Sequence, residues 1–143
     1  MKGKEIVRPK TVVLKPKAPI RRYDVFAEYN RIKAVKEFGF TDDEAKAYGL
    51  AVAKVVAARK FFGHRIKYRG ATRAYLEGRT TEKWWRKLAT PSEFDEKIIQ
   101  RMGEDFYYKV FRPTLERLYE EGKDYMEIRD SVREEWNKLL EEK

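Results

Sequence analysis

Thr41–Arg73, TDDEAKAYGLAVAKVVAARKFFGHRIKYRGATR, decides the fold. Thr41 and Glu44 stand at the spacing of a capping box, in which a hydroxyl and a carboxylate satisfy the free amides of a helix start. From Ala45 to Phe62 the only charges are Lys46, Lys54, Arg59 and Lys60. Tyr48, Val52, Val55 and Phe62 recur at helical spacing, and Ala51 and Ala58 widen the same face. Gly49, Ala53 and Ala57 form a second strip four residues apart, where small side chains let another helix approach closely. The spacing predicts a near-buried helix stopped by Gly63. The next residues, His64-Arg65-Ile66-Lys67-Tyr68-Arg69-Gly70, interleave cations with an aromatic ring, so packing and polyanion contact meet at one helix end.

Outward from this helix, the pattern stays helical. Val25, Phe26, Tyr29, Ile32 and Val35 predict a helix over 23–38, ended by Gly39. Ala71–Glu77 predicts a short helical turn before Gly78. Thr80 or Thr81 then caps a second one, EKWWRKLA. Neighbours on a helix point about 100° apart, so one of Trp84 and Trp85 is expected in the core and the other over a partner or a neighbouring helix. Ser92 with Asp95 resembles a capping box for a helix over 93–111 bearing Phe94, Ile98, Ile99, Met102, Phe106 and Val110. Arg112-Pro113 is expected to kink or break it. Leu115, Leu118 and Tyr119 continue to Gly122. A last helix over about 124–141 carries Tyr125, Ile128, Val132, Trp136 and Leu139. Leu115–Val132 has the rhythm of a helix-turn-helix, but the pattern runs on to Leu140 without the required turn. No hairpin signal and no internal repeat accompanies these helices. The expected fold is all-α: a bundle of about four main helices with an extended basic N-terminal arm, divided as 1–40 (arm and first helix) and 41–143 (bundle).

The arm is MKGKEIVRPKTVVLKPKAPI, in which Pro9, Pro16 and Pro19 forbid a continuous helix. Its six cations face one acid, Glu5. Four apolar residues inside it call for burial, so a phosphate backbone is a better expectation for what holds it than free solvent. The 143 residues carry a net charge of +9. Residues 1–89 hold 23 Lys+Arg against 9 Asp+Glu, and residues 90–143 hold 10 against 15. One basic and one acidic half points the basic half toward a polyanion.

Composition narrows the classes further. With 42% hydrophobic and 40% charged residues, the chain is expected to fold rather than stay disordered. The absence of cysteine excludes disulfides and thiolate chemistry, and abundant Lys, Arg and Glu suit a hyperthermophile. No apolar run is long enough for a transmembrane helix, and the basic N-terminus lacks the apolar core of a signal peptide. His64 is the single histidine, too few for a metal site, and reads as a solvated loop residue. Glu104-Asp105, Glu120-Glu121 and Glu134-Glu135 are adjacent pairs that diverge on a helix. No phosphate-cradling glycine motif or nucleophile elbow occurs. The expectation is no enzyme, no cofactor, no metal and no small-molecule substrate.

Glu37-Phe38-Gly39-Phe40-Thr41, followed by Ala47-Tyr48-Gly49-Leu50-Ala51-Val52-Ala53-Lys54, resembles the major coat proteins of rod-shaped and filamentous viruses of hyperthermophilic archaea. Their central helix carries a similar aromatic-Gly-x-Thr start and a Tyr-Gly-Leu-x-Val-Ala-Arg/Lys run. The resemblance covers residues 37–63, and this chain is richer in charge than the rod-shaped members. It implies a structural capsid protein of the virion. The arm and first helices would wrap linear double-stranded DNA in the A form, and the bundle would pack into a helical filament. In the filamentous branch two related coat proteins pair, and a lipid envelope can lie outside them.

The residues expected to meet DNA are Lys2, Lys4, Arg8, Lys10, Lys15, Lys17, Arg21, Arg22, Arg31, Lys33, Lys36, Arg59, Lys60, Arg65, Lys67, Arg69 and Arg73. The alternative is a cellular, cytoplasmic helical nucleic-acid-binding protein, a regulator or a small subunit of a nucleoprotein complex. Tyr107, Tyr108, Phe111, Trp84 and Trp85 are more aromatic area than one bundle needs, so some are expected in subunit contacts, with complete burial in the core as the competing expectation.

Overall fold

The computed structural model describes residues 14–62 and 83–141, with side chains for 14–58 and 83–141. These residues form five helices and one 3-10 turn, and no strand occurs among them. α1 spans Arg22–Phe38 and α2 spans Asp42–Phe62. The 3-10 turn spans Trp84–Lys87. α3 covers 91–102, α4 covers 104–120 and α5 spans Tyr125–Glu141. Each of α3 and α4 contains one widened π turn, at Asp95–Ile99 and Tyr107–Phe111. None of these helices is long and apolar enough to cross a membrane.

α1 begins where the Arg21 amide donates to Asp24 Oδ2 at 2.9 Å, and ends at Gly39, whose φ of 73° is left-handed. α2 starts with the Glu44 amide donating to Thr41 Oγ1. The other half of the expected capping box is replaced. The Glu44 carboxylate accepts from Lys83 at 2.9 Å and Arg86 at 2.8 Å, which ties the 3-10 turn to the start of α2. α1 and α2 pack at backbone distance. A Cβ on Gly49 would stand 2.3 Å from the Ala27 carbonyl oxygen. The strip of small residues thus works as expected at Gly49 and Ala53, whereas Ala57 is exposed. α1 is therefore packed directly against α2.

Three local expectations need correction. The N-cap of α3 is Thr90, whose hydroxyl accepts from the Glu93 amide, and Pro91 takes the first turn, where its missing N–H costs nothing. The helix expected over 93–111 stops at Gly103, with φ 101° and ψ 130°. It restarts at Glu104 and runs through Pro113 without breaking. The π turn just ahead, in which the Arg112 amide bonds to Tyr107 O, sets the frame in which the ring is accommodated. α5 has a full capping box beyond the one expected at Thr41: the Glu127 amide donates to Asp124 Oδ1 and the Asp124 amide to Glu127 Oε1.

The core runs through all five helices. Val25 and Ile32, Tyr48 and Leu50, Phe94 and Ile98, Phe106, Phe111 and Leu115, and Ile128, Val132 and Trp136 are all buried. Both Trp84 and Trp85 are buried too. Trp85 stacks on Phe40 at 4.7 Å, and both rings meet Tyr48 edge-on. Tyr107 and Phe111 also lie inside, so of the five aromatics weighed for subunit contacts only Tyr108 is exposed, at 42%. Complete burial accounts for the other four.

Residues 14–20 form a strap across the bundle. Ile20 is 1% exposed and closes the core. Its amide donates to Asn137 Oδ1 at 2.7 Å, and its carbonyl accepts from Arg133 Nε at 3.0 Å. Further back, the Lys17 amide donates to Met102 O at 2.8 Å, using the carbonyl released where the helix breaks. Gly103 lies directly beneath the Lys17 side chain. The glycine break and the strap are one feature.

Candidate nucleic-acid interface

The structure divides the expected DNA-facing cations into three sets. Lys2, Lys4, Arg8, Lys10, Arg65, Lys67, Arg69 and Arg73 lie outside the described residues, as do the side chains of Arg59 and Lys60. Lys15, Lys17 and Arg22 are exposed and Lys33 is half-buried, and among the described residues none of the four is ion-paired. The rest are engaged by the protein's own acids. Arg21 pairs with buried Asp24 at 2.8 Å and lies over the Tyr23 ring. Lys36 pairs with Glu120 at 2.8 Å.

Arg31 is a correction. It is 1% exposed, and its guanidinium is shared among Glu28, Asp42 and Glu116 at 2.9, 2.7 and 3.1 Å. Glu28 also accepts from the Tyr107 hydroxyl at 2.6 Å. Burial is the largest single influence and would lower the Arg31 pKa, but Glu28, Tyr107 and Asp42 together outweigh it and raise the pKa further. Burial, reinforced by Glu28, pushes Tyr107 well above the usual tyrosine range. This guanidinium cannot reach a phosphate. Its position on a charged helix gave no sign of that, because the three acids come from the same turn, from α2 and from α4.

Other cations outside the expected set are structural as well. Lys46 pairs with Asp95, and Lys54 with Glu93. Arg101 bonds to both Asp24 and the Pro19 carbonyl, locking the strap to α3. Glu93 and Glu44 are held below the ordinary glutamate range, chiefly by hydrogen bonds from Lys54 and Lys83 respectively.

A second basic cluster forms where the start of α1 meets α5. Arg22, Arg129 and Arg133 all lie within electrostatic reach of Asp130 and of the Tyr125 ring. Arg129 bonds to Asp130 at 2.8 Å and lies over Tyr125 at 5.7 Å. The hydrogen bond from Arg129 lowers the Asp130 pKa most, with Arg22 and Arg133 adding to it. The sequence hides Arg129 and Arg133 because they stand in the acidic half of the chain. Their four-residue spacing on one helix face was the available signal.

Along the strap, positive charge is tempered. Lys15 and Lys17 share a shallow depression with Glu104 and Asp105. Among the described residues no group of three or more His, Cys, Asp or Glu is placed to hold a metal ion. No protein-family model, characterised protein or solved structure matches the chain.

Proposed function

We propose that this chain is a structural nucleoprotein, a major coat protein that wraps linear double-stranded DNA and assembles with itself or a paralogous coat protein into the helical filament of a virion. In this reading the extended basic arm, up to residue 13, follows the phosphate backbone. The strap at 14–20 anchors it to a bundle of five helices. Arg21 and Arg22 stand at its root, and the cations from Arg59 to Arg73 supply a second contact.

One observation carries the reading. The inner cations, Arg31, Lys36, Lys46 and Lys54, are matched by the protein's own acids, whereas Lys15, Lys17 and Arg22 are exposed and without ion pairs among the described residues. Lys15, Lys17 and Arg22 thereby continue the basic arm, in which Lys2, Lys4, Arg8 and Lys10 face one acid, Glu5. Lys and Arg that meet only phosphates give strong, sequence-independent and salt-sensitive binding. The resemblance over residues 37–63 supplies the coat-protein form of that activity, with A-form DNA and an outer lipid envelope as its further implications. No catalytic role is assigned to any residue.

Fluorescence anisotropy with two unrelated duplexes at graded salt tests the DNA-binding step. Equal affinities that fall steeply with salt are expected. A salt-insensitive affinity, or a strong preference for one short sequence, overturns it and favours the cellular regulator.

A further inference from the structure

We propose that the groove between α1, α2 and α5 binds a single-chain alkyl carboxylate, with its chain on the apolar floor and its carboxylate at the Arg22–Arg129 rim. The groove encloses about 300 Å³. That is the lower end of the range in which small-molecule sites fall. Phe26, Val56, Ala53 and Ala57 form its floor, and Tyr23 and Tyr125 its walls. The floor offers no side-chain hydrogen-bonding group, and the Tyr125 hydroxyl is already directed to the Arg22 carbonyl at 3.2 Å. A nucleobase on that floor would find side-chain partners only at Tyr23 and the Arg22–Arg129 rim, so most of its polar edge would lose water without regaining partners. An alkyl chain has no such edge.

Charge selects the head. Arg22 is exposed and makes no ion pair among the described residues, and Arg129 meets a single acid, Asp130. The rim is therefore net positive over an apolar floor, matching an anion with an apolar body. A guanidinium fork meets a carboxylate through two parallel hydrogen bonds. This site does not depend on the DNA-binding reading. Arg129 and the α2 floor lie outside that reading, and Arg22 is the one residue common to both.

The test is isothermal titration calorimetry of the full chain with decanoate below its micelle concentration, beside decyltrimethylammonium and acetate. Saturable binding of one decanoate per chain is expected, with at least tenfold weaker binding of the cationic amphiphile and none of acetate. Ala57→Trp fills the groove from the exposed side of α2 and should weaken decanoate at least tenfold while leaving DNA affinity unchanged. Ala57→Gln, which leaves the floor open, should bind decanoate within about twofold of the parent. Arg129→Gln should weaken decanoate at least fivefold. Equal binding of both amphiphiles, several decanoates per chain, or full affinity in Ala57→Trp overturns the proposal. So does the absence of decanoate binding accompanied by a dimer that Ala57→Trp disrupts, which would make a second copy the occupant.

Discussion

Arg31 and Glu28 face each other on the buried side of α1 as a two-pronged pair, Nε to Oε1 and Nη2 to Oε2, both at 2.9 Å. One turn of helix thus places a full positive and a full negative charge in the interior. Both are then bound by other elements: Asp42 from the start of α2, and Glu116 and Tyr107 from α4. The network joins three helices at one point.

Removing one partner leaves a buried charge without compensation. Arg31→Ala should therefore destabilise the protein by roughly 3–5 kcal/mol. Arg31→Met with Glu28→Leu should recover much of that loss, because no lone charge remains. Denaturant unfolding of the two variants measures the difference. DNA affinity of whatever fraction stays folded should be unchanged, since Arg31 cannot reach solvent.

The acid side of the stability profile follows from Glu44 and Glu93. Both are lowered below the ordinary glutamate range in the folded protein, so their contribution is complete above that range. It is lost as pH falls through their depressed values, where the folded state must take up protons. Melting temperature should hold steady near neutrality and drop below the ordinary glutamate range. Glu44→Gln with Glu93→Gln should flatten that drop.

The strap resets where the arm begins. Deleting residues 1–13 removes Lys2, Lys4, Arg8 and Lys10 and should leave a folded bundle with weakened DNA binding. The log–log salt slope should fall by about 0.9 for each phosphate that these four cations neutralise. Deleting residues 1–22 also removes Ile20 and its bonds to Asn137 and Arg133, so that bundle should be markedly less stable. Ile20→Ala alone should cost about 2–4 kcal/mol. Thermal melts of the three proteins separate anchoring from DNA binding.

Gly49→Ala probes the closest helix contact. Its new methyl would stand 2.3 Å from the Ala27 carbonyl oxygen, and α1 must move to admit it. A loss of about 1–3 kcal/mol is expected, against the gain that alanine usually brings to a helix interior. Differential scanning calorimetry gives the sign directly.

The helices were legible where periodicity and caps agreed. Thr41 and Gly39 mark their ends, Gly49 announces a close approach, and Ile128, Val132 and Trp136 line one face as their spacing requires. The break at Gly103 was not legible. A single glycine in a helical pattern is tolerated, and this one is broken by the strap, which comes from 86 residues earlier in the chain at Lys17. Nor could Arg31 be sorted from Arg22. Both are arginines on the same helix, and only the folded chain brings Asp42 and Glu116 to one of them. Charge counting along the sequence also hid Arg129 and Arg133 within an acidic segment. The tryptophan pair departs from the expected split because it lies in a 3-10 turn where Trp85 stacks on Phe40 and both rings meet Tyr48 edge-on, so both are covered.

Electron microscopy of the full chain mixed with linear duplex DNA of one defined length tests the central claim most directly. A coat protein should cover the duplex end to end in regular filaments whose length scales with the DNA. Isolated particles at fixed positions on otherwise bare DNA, or bare DNA throughout, would contradict it.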